Sequence, residues 1–187
     1  MESISNIKDI FNNTPENKLQ MFIEQYKDDS RQGVANLVKR AAKKIDDYNK
    51  EIERTYKLSE FERKYSDYEF ICGIDEVGRG PLAGPVVAGA VILPKDCDIL
   101  YINDSKKLSA KKREELYEVI MEKAVCAKTA VVSPKVIDEI NILQATYEAM
   151  RQAVAQLPQE PDIFLNDAVI IPGISEEKQI KIIKGDA

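Results

Sequence analysis

Histidine is absent from the 187-residue sequence. This absence excludes Ser-His-Asp and Cys-His triads, histidine general bases and His-ligated zinc. Cysteine is scarce: Cys72, Cys97 and Cys126 show no CxxC spacing, and we interpret them as reduced thiols of a cytoplasmic protein. Hydrolytic chemistry in such a chain would rest mostly on carboxylates that hold hard cations such as Mg²⁺ or Mn²⁺.

Long apolar runs are missing as well. No run approaches the roughly 20 residues that a membrane span needs. The N-terminus, Met1-Glu-Ser-Ile-Ser-Asn, also lacks the basic region and apolar core of a secretory signal. With 44% hydrophobic and 32% charged residues, we expect a soluble globular protein. The net charge of −5 argues against a generic nucleic-acid coat, although a local basic surface is compatible with it.

Residues 1–65 are predicted to be helical. Thr14-Pro15-Glu16 is a helix-start pattern with Thr14 as N-cap, and a second start lies at Asp28-Asp29-Ser30. The second helix has an apolar stripe with i, i+3, i+4 spacing. Its other face is basic and carries Arg31, Lys39, Arg40, Lys43 and Lys44. A solvated helix face is the commoner explanation of such a charge run, and contact with nucleic-acid phosphates is the alternative.

From Tyr68 onward the pattern changes to strands that alternate with helices. Strands are predicted at 70–74, 86–93, 126–132, 163–165 and 179–183. Helices are predicted from the Ser109 cap through Lys123, at 136–140, and from Asn141 to the prolines at 158 and 161. This alternation predicts an α/β domain, in which functional sites lie at strand ends.

Acidic residues follow three of the predicted strands: Asp75 with Glu76, then Asp167, then Asp186. A lone acid at a strand end is usually a turn former, but neighbouring strand ends lie about 4.8 Å apart, so four carboxylates can meet. Two divalent cations about 3.5–4 Å apart would relieve their repulsion and activate water for phosphodiester hydrolysis. Asp75 and Glu76 point to opposite faces of an ideal strand, so both reach one site only if the strand ends there.

A glycine-rich loop, Gly78-Arg79-Gly80, follows the first acids. It would let a substrate approach the backbone closely, with Arg79 near a phosphate. A tight turn with a surface arginine explains the loop equally well. Lys106 and Lys107 have the same two explanations, phosphate contact or a solvated loop.

Several stretches closely resemble bacterial ribonuclease HII. The longest is Ile74-Asp-Glu-Val-Gly-Arg-Gly-Pro-Leu-Ala-Gly-Pro-Val-Val-Ala-Gly-Ala-Val. Further matches are Asn103–Ser109, Asp138–Thr146, the strand end at Asp167 and Ile183–Asp186. The resemblance covers residues 68–187, and residues 1–65 are similar to the N-terminal extension of some bacterial members.

The resemblance implies a ribonuclease H-like fold: a mixed sheet flanked by helices, preceded by a small helical region, with domains at 1–65 and 66–187. It implies hydrolysis of the RNA strand of RNA–DNA hybrids and nicking 5′ of ribonucleotides embedded in duplex DNA. The products would carry 3′-hydroxyl and 5′-phosphate ends. The partners would be these hybrids and duplexes, with no membrane, and the protein would act as a monomer.

The resemblance also assigns roles to residues. The four acids that bind Mg²⁺ or Mn²⁺ in the family align with Asp75, Glu76, Asp167 and Asp186. Gly78, Arg79 and Gly80 align with the loop that reads the ribose 2′-hydroxyl, which distinguishes RNA from DNA. Lys106 aligns with a lysine near the scissile phosphate. The arginine favours this family over ribonuclease HIII, which typically has threonine in its place.

The chain departs from the family after its last motif. Family members continue well beyond Lys-Gly-Asp, whereas this sequence stops at Ala187, so we expect a catalytic domain that is incomplete at its C-terminus. One alternative is a truncated, catalytically weak or inactive nucleic-acid-binding protein of the same family. Another is a mononucleotide-binding α/β domain, although the glycine-rich loop lacks the GxxxxGK[ST] order.

Overall fold

The structure is a computed structural model that describes residues 2–80 and 83–182. It divides into two compact units, Met1–Leu58 and Ser59–Ala187. The predicted site residue Asp186 lies outside the described residues. Among the helices that are described, none is both long enough and apolar enough to cross a membrane.

The described part of the first unit contains α1 (Ile4–Asn13), α2 (Leu19–Tyr26) and α3 (Gln32–Leu58). The Ser3 hydroxyl caps α1 by accepting from the Asn6 backbone N–H. The prediction that Thr14 starts a helix is wrong. Thr14 ends α1, because its N–H bonds to the Phe11 carbonyl and its hydroxyl donates to the Ile10 carbonyl. A 3-10 turn at Glu16–Lys18 then leads into α2.

Apolar side chains at helical spacing hold these three helices together. Phe22 lies between two other rings, with ring centroids 5.6 Å from Phe11 and 4.8 Å from Tyr26. The rest of the buried set is Ile7, Leu19, Val34, Leu37 and Ala41. Each helix therefore buries one face against the other two.

The second unit is an α/β structure. Its described strands are β1 (Ile71–Val77), β2 (Val86–Ile92), β3 (Cys126–Val132), β4 (Ile163–Asp167) and β5 (Gln179–Ile182). Its described helices are α4 (Glu60–Lys64), α5 (Ala110–Lys123), α6 (Pro134–Ile140) and α7 (Ile142–Ala155). The sheet order is β3-β2-β1-β4-β5, with β2 antiparallel to both neighbours and β1, β4 and β5 parallel. The predicted mixed sheet flanked by helices is confirmed.

Local sequence explains most element boundaries in this unit. Ser109, Ser133 and Asn141 cap α5, α6 and α7, each through a side-chain oxygen that accepts a backbone N–H three residues later. The strand β2 is rich in valine and alanine and buries every second residue. These are the patterns from which the elements are predicted.

One face of the sheet is covered by a helix, and the other face is more exposed. α7 packs on one face of β1, β2 and β3, where Ala145, Ala149 and Ala153 are fully buried and their small side chains allow a close approach. On the other face Val77 and Val131 are 65% and 60% exposed. Because side chains alternate along a strand, Asp75 shares the exposed side with Val77.

Asp162 joins the beginnings of the two central parallel strands. Its carboxylate accepts from the backbone N–H groups of Glu69 (3.0 Å) and Phe70 (2.8 Å), and its own N–H donates to the Phe70 carbonyl at 2.9 Å. These bonds fix β4 against β1 just before both strands enter the sheet.

Candidate active site

Asp75 and Asp167 lie on neighbouring parallel strands. Ile74 of β1 is level with Asn166 of β4, and the two acids are the next residue on each strand. The register therefore puts both acids level and on the same side of the sheet, on strands about 4.8 Å apart. Two carboxylates at that spacing repel each other, which favours a cation between them.

Glu76 is directed to the opposite side. The prediction that the first strand ends at the acids is wrong, because β1 continues to Val77, which still pairs with Val87 of β2. Alternation therefore turns Glu76 to the α7 side. There its side chain is 14% exposed, and its carboxylate forms an ion pair with Arg79 at 2.9 Å.

Asp75 is also tied locally, because its carboxylate accepts from the Glu76 backbone N–H at 2.7 Å. Within residues 2–80 and 83–182, no group of three or more His, Cys, Asp and Glu side chains is close enough to hold a metal ion. The structure thus places Asp75 beside Asp167, with Glu76 on the other face, and the four-acid site stays a prediction.

The glycine-rich loop contains two glycines with different surroundings. Gly78 has φ +100°, and a Cβ there would run into the Pro85 carbonyl oxygen and lie 3.2 Å from Val86 Cα. At Gly80 an added Cβ would meet no heavy atom within 4 Å among the described residues, its chain neighbours apart. The fold itself therefore requires glycine at 78, whereas Gly80 borders open space.

Lys106 lies in a short 3-10 turn, Ser105–Lys107, with its side chain exposed. The Asp104 carboxylate accepts from the Lys106 backbone N–H at 2.9 Å. Arg113 of α5 donates to the carbonyls of Ser105 (3.1 Å) and Leu108 (2.7 Å). Asp at the start of such a turn is a recognisable sequence signal, but the contribution of Arg113 is not, since it comes from a helix five or more residues away.

Two buried amides next to Asp167 are not predicted from the sequence. Asn166 is fully buried, Gln179 is 6% exposed, and the Asn166 Nδ2 donates to the Gln179 Oε1 at 2.8 Å. A sequence signal exists only for Asn166, which follows the apolar run Ile163–Leu165 of β4, since a polar residue that is buried with such a run needs a partner.

The basic face of α3 is smaller than predicted. Arg31 bonds instead to the Asp29 carboxylate at 2.6 Å and to the Glu2 carbonyl at 2.8 Å, and it holds the pKa of Asp29 down at about 2. Arg40 and Lys44 lie 5.0 and 4.9 Å from the centre of the Phe11 ring. The remaining basic face consists of four exposed residues: Lys39, Arg40, Lys43 and Lys44.

The sheet order and the helices around it define a class of fold. The ribonuclease H2 from Pyrococcus horikoshii OT3 superposes with a TM-score of 0.51 at 23% identity, over 63% of this chain and 64% of that chain. The second unit therefore has a ribonuclease H-like fold, as predicted.

Sequence comparison defines the family. Residues 72–187 match the family model described as Ribonuclease HII, and residues 3–66 match the one described as Ribonuclease HII N-terminal domain. The ribonuclease HII of Lachnoclostridium phytofermentans is 57% identical over 164 residues, which are 88% of this chain and 64% of that protein. The Clostridioides difficile ribonuclease HII is 46% identical over 188 residues, which are 100% of this chain and 73% of that protein. The chain belongs to the ribonuclease HII family, and it spans about two thirds of the length of these curated relatives.

Proposed function

We propose that this chain belongs to a metal-dependent endonuclease that acts on ribonucleotides in nucleic-acid duplexes. It hydrolyses the RNA strand of RNA–DNA hybrids and nicks 5′ of ribonucleotides embedded in duplex DNA. Family membership supports this reaction. The observation that carries it is the level placement of Asp75 and Asp167 on adjacent parallel strands, on the more exposed side of the sheet.

The proposed metal ligands are Asp75, Glu76, Asp167 and Asp186, all of which offer the carboxylate oxygens that hard cations prefer. Asp75 and Asp167 share one side of the sheet, so Glu76 would have to reach the same ions from the other side of β1. Two bound Mg²⁺ or Mn²⁺ ions would supply an activated water and stabilise the leaving oxygen, which gives 3′-hydroxyl and 5′-phosphate ends. The chain's own share is to hold Asp75 and Asp167 at a fixed spacing through the β1–β4 ladder.

The loop Gly78–Gly80 is the proposed reader of the ribose 2′-hydroxyl. Two observations support this role: Gly78 packs closely against the residues that lead into β2, and an added Cβ at Gly80 would meet no described residue beyond its chain neighbours within 4 Å. Arg79 lies at the strand end beside Glu76, where a substrate phosphate would pass. Lys106, held by its turn and exposed, is the proposed second phosphate contact.

The proposed accessory region for nucleic-acid binding is residues 1–65, with residues 66–187 forming the catalytic domain. Its basic face, Lys39 to Lys44, extends about 7.5 Å along α3, roughly the axial rise of two nucleotides of one strand. We further propose that the protein acts as a monomer in the cytoplasm, the compartment of its nucleic-acid substrates.

A cleavage assay with duplex DNA that contains one ribonucleotide tests the proposal. In Mg²⁺ or Mn²⁺ we expect a nick 5′ of the ribonucleotide, with a 3′-hydroxyl that a polymerase extends. Asp75→Asn and Asp167→Asn should each slow the nick by roughly 100-fold or more, because each removes a carboxylate charge from the proposed metal site. Chelation of the metal should stop the reaction.

A second candidate function is binding without cleavage, favoured by the exposed basic face of α3. Tight binding of the duplex with no metal-dependent nick would support this candidate and contradict the nuclease proposal. Comparison with the longer relatives' activity under the same conditions provides the positive control.

A further inference from the structure

The side-chain amide of Gln179 is bonded to Asn166, the residue directly before Asp167. Gln179 is the first residue of β5, and it is level with Phe164 of the neighbouring β4. Its Oε1 accepts from the Asn166 Nδ2 at 2.8 Å and from the Ile171 N–H at 2.7 Å. Its Nε2 donates to the carbonyls of Ile171 (3.1 Å), Ile174 (3.0 Å) and Ser175 (3.5 Å). One buried side chain therefore holds both the residue before Asp167 and the loop after it.

The backbone of Ile171 decides which way the Gln179 amide points. Its N–H needs an oxygen and its carbonyl needs an N–H, so the amide satisfies both in only one orientation. The oxygen of Gln179 then also faces Asn166, which turns the Asn166 Nδ2 towards it. The Asn166 Oδ1 is buried and has no partner among the residues that the structure describes. Asn166 keeps this orientation although one of its polar atoms is unpaired there.

The chain leaves β4 through a constrained turn directly after Asp167. Ala168 has φ +52°, a left-handed conformation that residues with a Cβ adopt only where the surroundings enforce it. Its N–H donates to the Ile182 carbonyl of β5 at 2.9 Å. Three residues later the loop returns to the core at Ile171, which is fully buried and bonded to Gln179 on both its polar groups.

We propose that Gln179 is a positioning residue for Asp167. Through Asn166 on one side and the loop 168–175 on the other, it fixes the backbone that keeps Asp167 level with Asp75 and on the same side of the sheet. This inference rests on the proposed function, because Asp167 acts there as a metal ligand. Gln179 itself touches neither metal nor substrate.

Three variants of the full chain separate positioning from general stability. Gln179→Met keeps the length of the side chain and removes all of its hydrogen bonds. Gln179→Glu retains an oxygen for the Ile171 N–H and loses the donor, so it serves if Gln179→Met does not fold. The matched control is Ile92→Val, a buried change on β2, which β1 separates from β4.

Mn²⁺ affinity, measured from the electron paramagnetic resonance signal of free Mn²⁺, is the decisive readout. We expect Gln179→Met to weaken Mn²⁺ binding about 10-fold or more, as loss of a group that orients a ligand usually does. Hydrogen exchange at the Ala168 and Ile171 amides should accelerate in the same variant. Ile92→Val should lower the melting temperature without either effect.

Faster exchange at Ala168 with Mn²⁺ affinity equal to wild type would overturn the positioning role and leave Gln179 as a loop anchor. A wild-type chain that binds Mn²⁺ and does not nick would contradict only the nuclease reaction, since the Gln179 comparison still decides the positioning role. A wild-type chain that binds no Mn²⁺ would overturn both.

Discussion

Gly78 holds a backbone conformation that residues with a Cβ rarely adopt. Its φ of +100° and its closeness to Pro85 leave no room for a side chain. Gly80 borders open space in the same loop. The two positions therefore allow the requirement of the fold at Gly78 to be tested apart from the proposed substrate contact at Gly80.

Alanine substitutions at the two glycines should have opposite signatures. Gly78→Ala should lower the free energy of unfolding by about 1–3 kcal/mol, because it strains the backbone and displaces the start of β2. Gly80→Ala should leave the melting temperature unchanged and slow the nicking of a ribonucleotide-containing duplex. Thermal unfolding and single-turnover kinetics check the pair, and wild-type kinetics for Gly80→Ala would contradict a substrate-reading role of the loop.

Buried thiols give a second prediction for single residues. Burial raises the pKa of Cys72 to about 12, so its thiol stays protonated and unreactive at pH 8. Cys97 is only half-buried. We expect alkylation of the native protein to modify Cys97 first and to reach Cys72 only when the second unit unfolds, as mass spectrometry across a urea series would show. Rapid modification of Cys72 without denaturant would contradict its buried position.

Among the secondary-structure elements, the beginnings of β1 and β4 are held together by the hydrogen bonds of Asp162. Its carboxylate accepts from two backbone N–H groups. Asp162→Ala should lower the free energy of unfolding by about 1.5–3 kcal/mol, because bonds to a charged group are the stronger kind. Glu160→Ala is the control: its ion pair with Lys178 is exposed and should contribute less than about 1 kcal/mol. Equal decreases in the free energy of unfolding for the two variants, measured by urea titration, would contradict the proposed role of Asp162 in holding β4 against β1.

The basic face of α3 predicts a salt effect. Replacing Lys39, Lys43 and Lys44 with alanine should weaken duplex binding and lower the slope of log affinity against log salt by about 0.9 for each phosphate that the variant no longer neutralises. Lys50→Ala is the matched control, since Lys50 lies on the same helix and pairs with Asp46 at 2.6 Å. A slope unchanged by the triple substitution would show that α3 is structural or binds a protein instead.

For the whole molecule, local sequence signals predict the order of elements and the fold class. The strand at 126–132 and the α5 helix begin and end where predicted, because caps and alternation act within a few residues. The end of β1 at Val77 is not predicted, since pairing with β2 carries two acids into the ladder. The hydrogen-bond partners of the Gln179 side chain are not predicted either, because Asn166 lies 13 residues away in sequence.

The candidate site divides in the same way. The acids and the glycine-rich loop are readable because their residue types are costly or unusual at a strand end. Which carboxylate faces which side of the sheet depends on strand register, and register follows from pairing between distant segments. The sequence therefore identifies candidate members of the site, whereas their arrangement depends on strand pairing.

The hydrogen bonds of Asp162 also set the register of β4 against β1. Asp75 comes five residues after Phe70, and Asp167 comes five residues after Asp162. Two strand segments of equal length, about 16 Å each, therefore run from the Asp162–Phe70 contact to Asp167 and to Asp75. Inserting or deleting one residue in either strand would leave that contact intact and bring Asp75 level with Asn166 or Ala168. The alignment of Asp75 with Asp167 therefore depends on equal numbers of residues between each acid and the contact at the other end of the two strands.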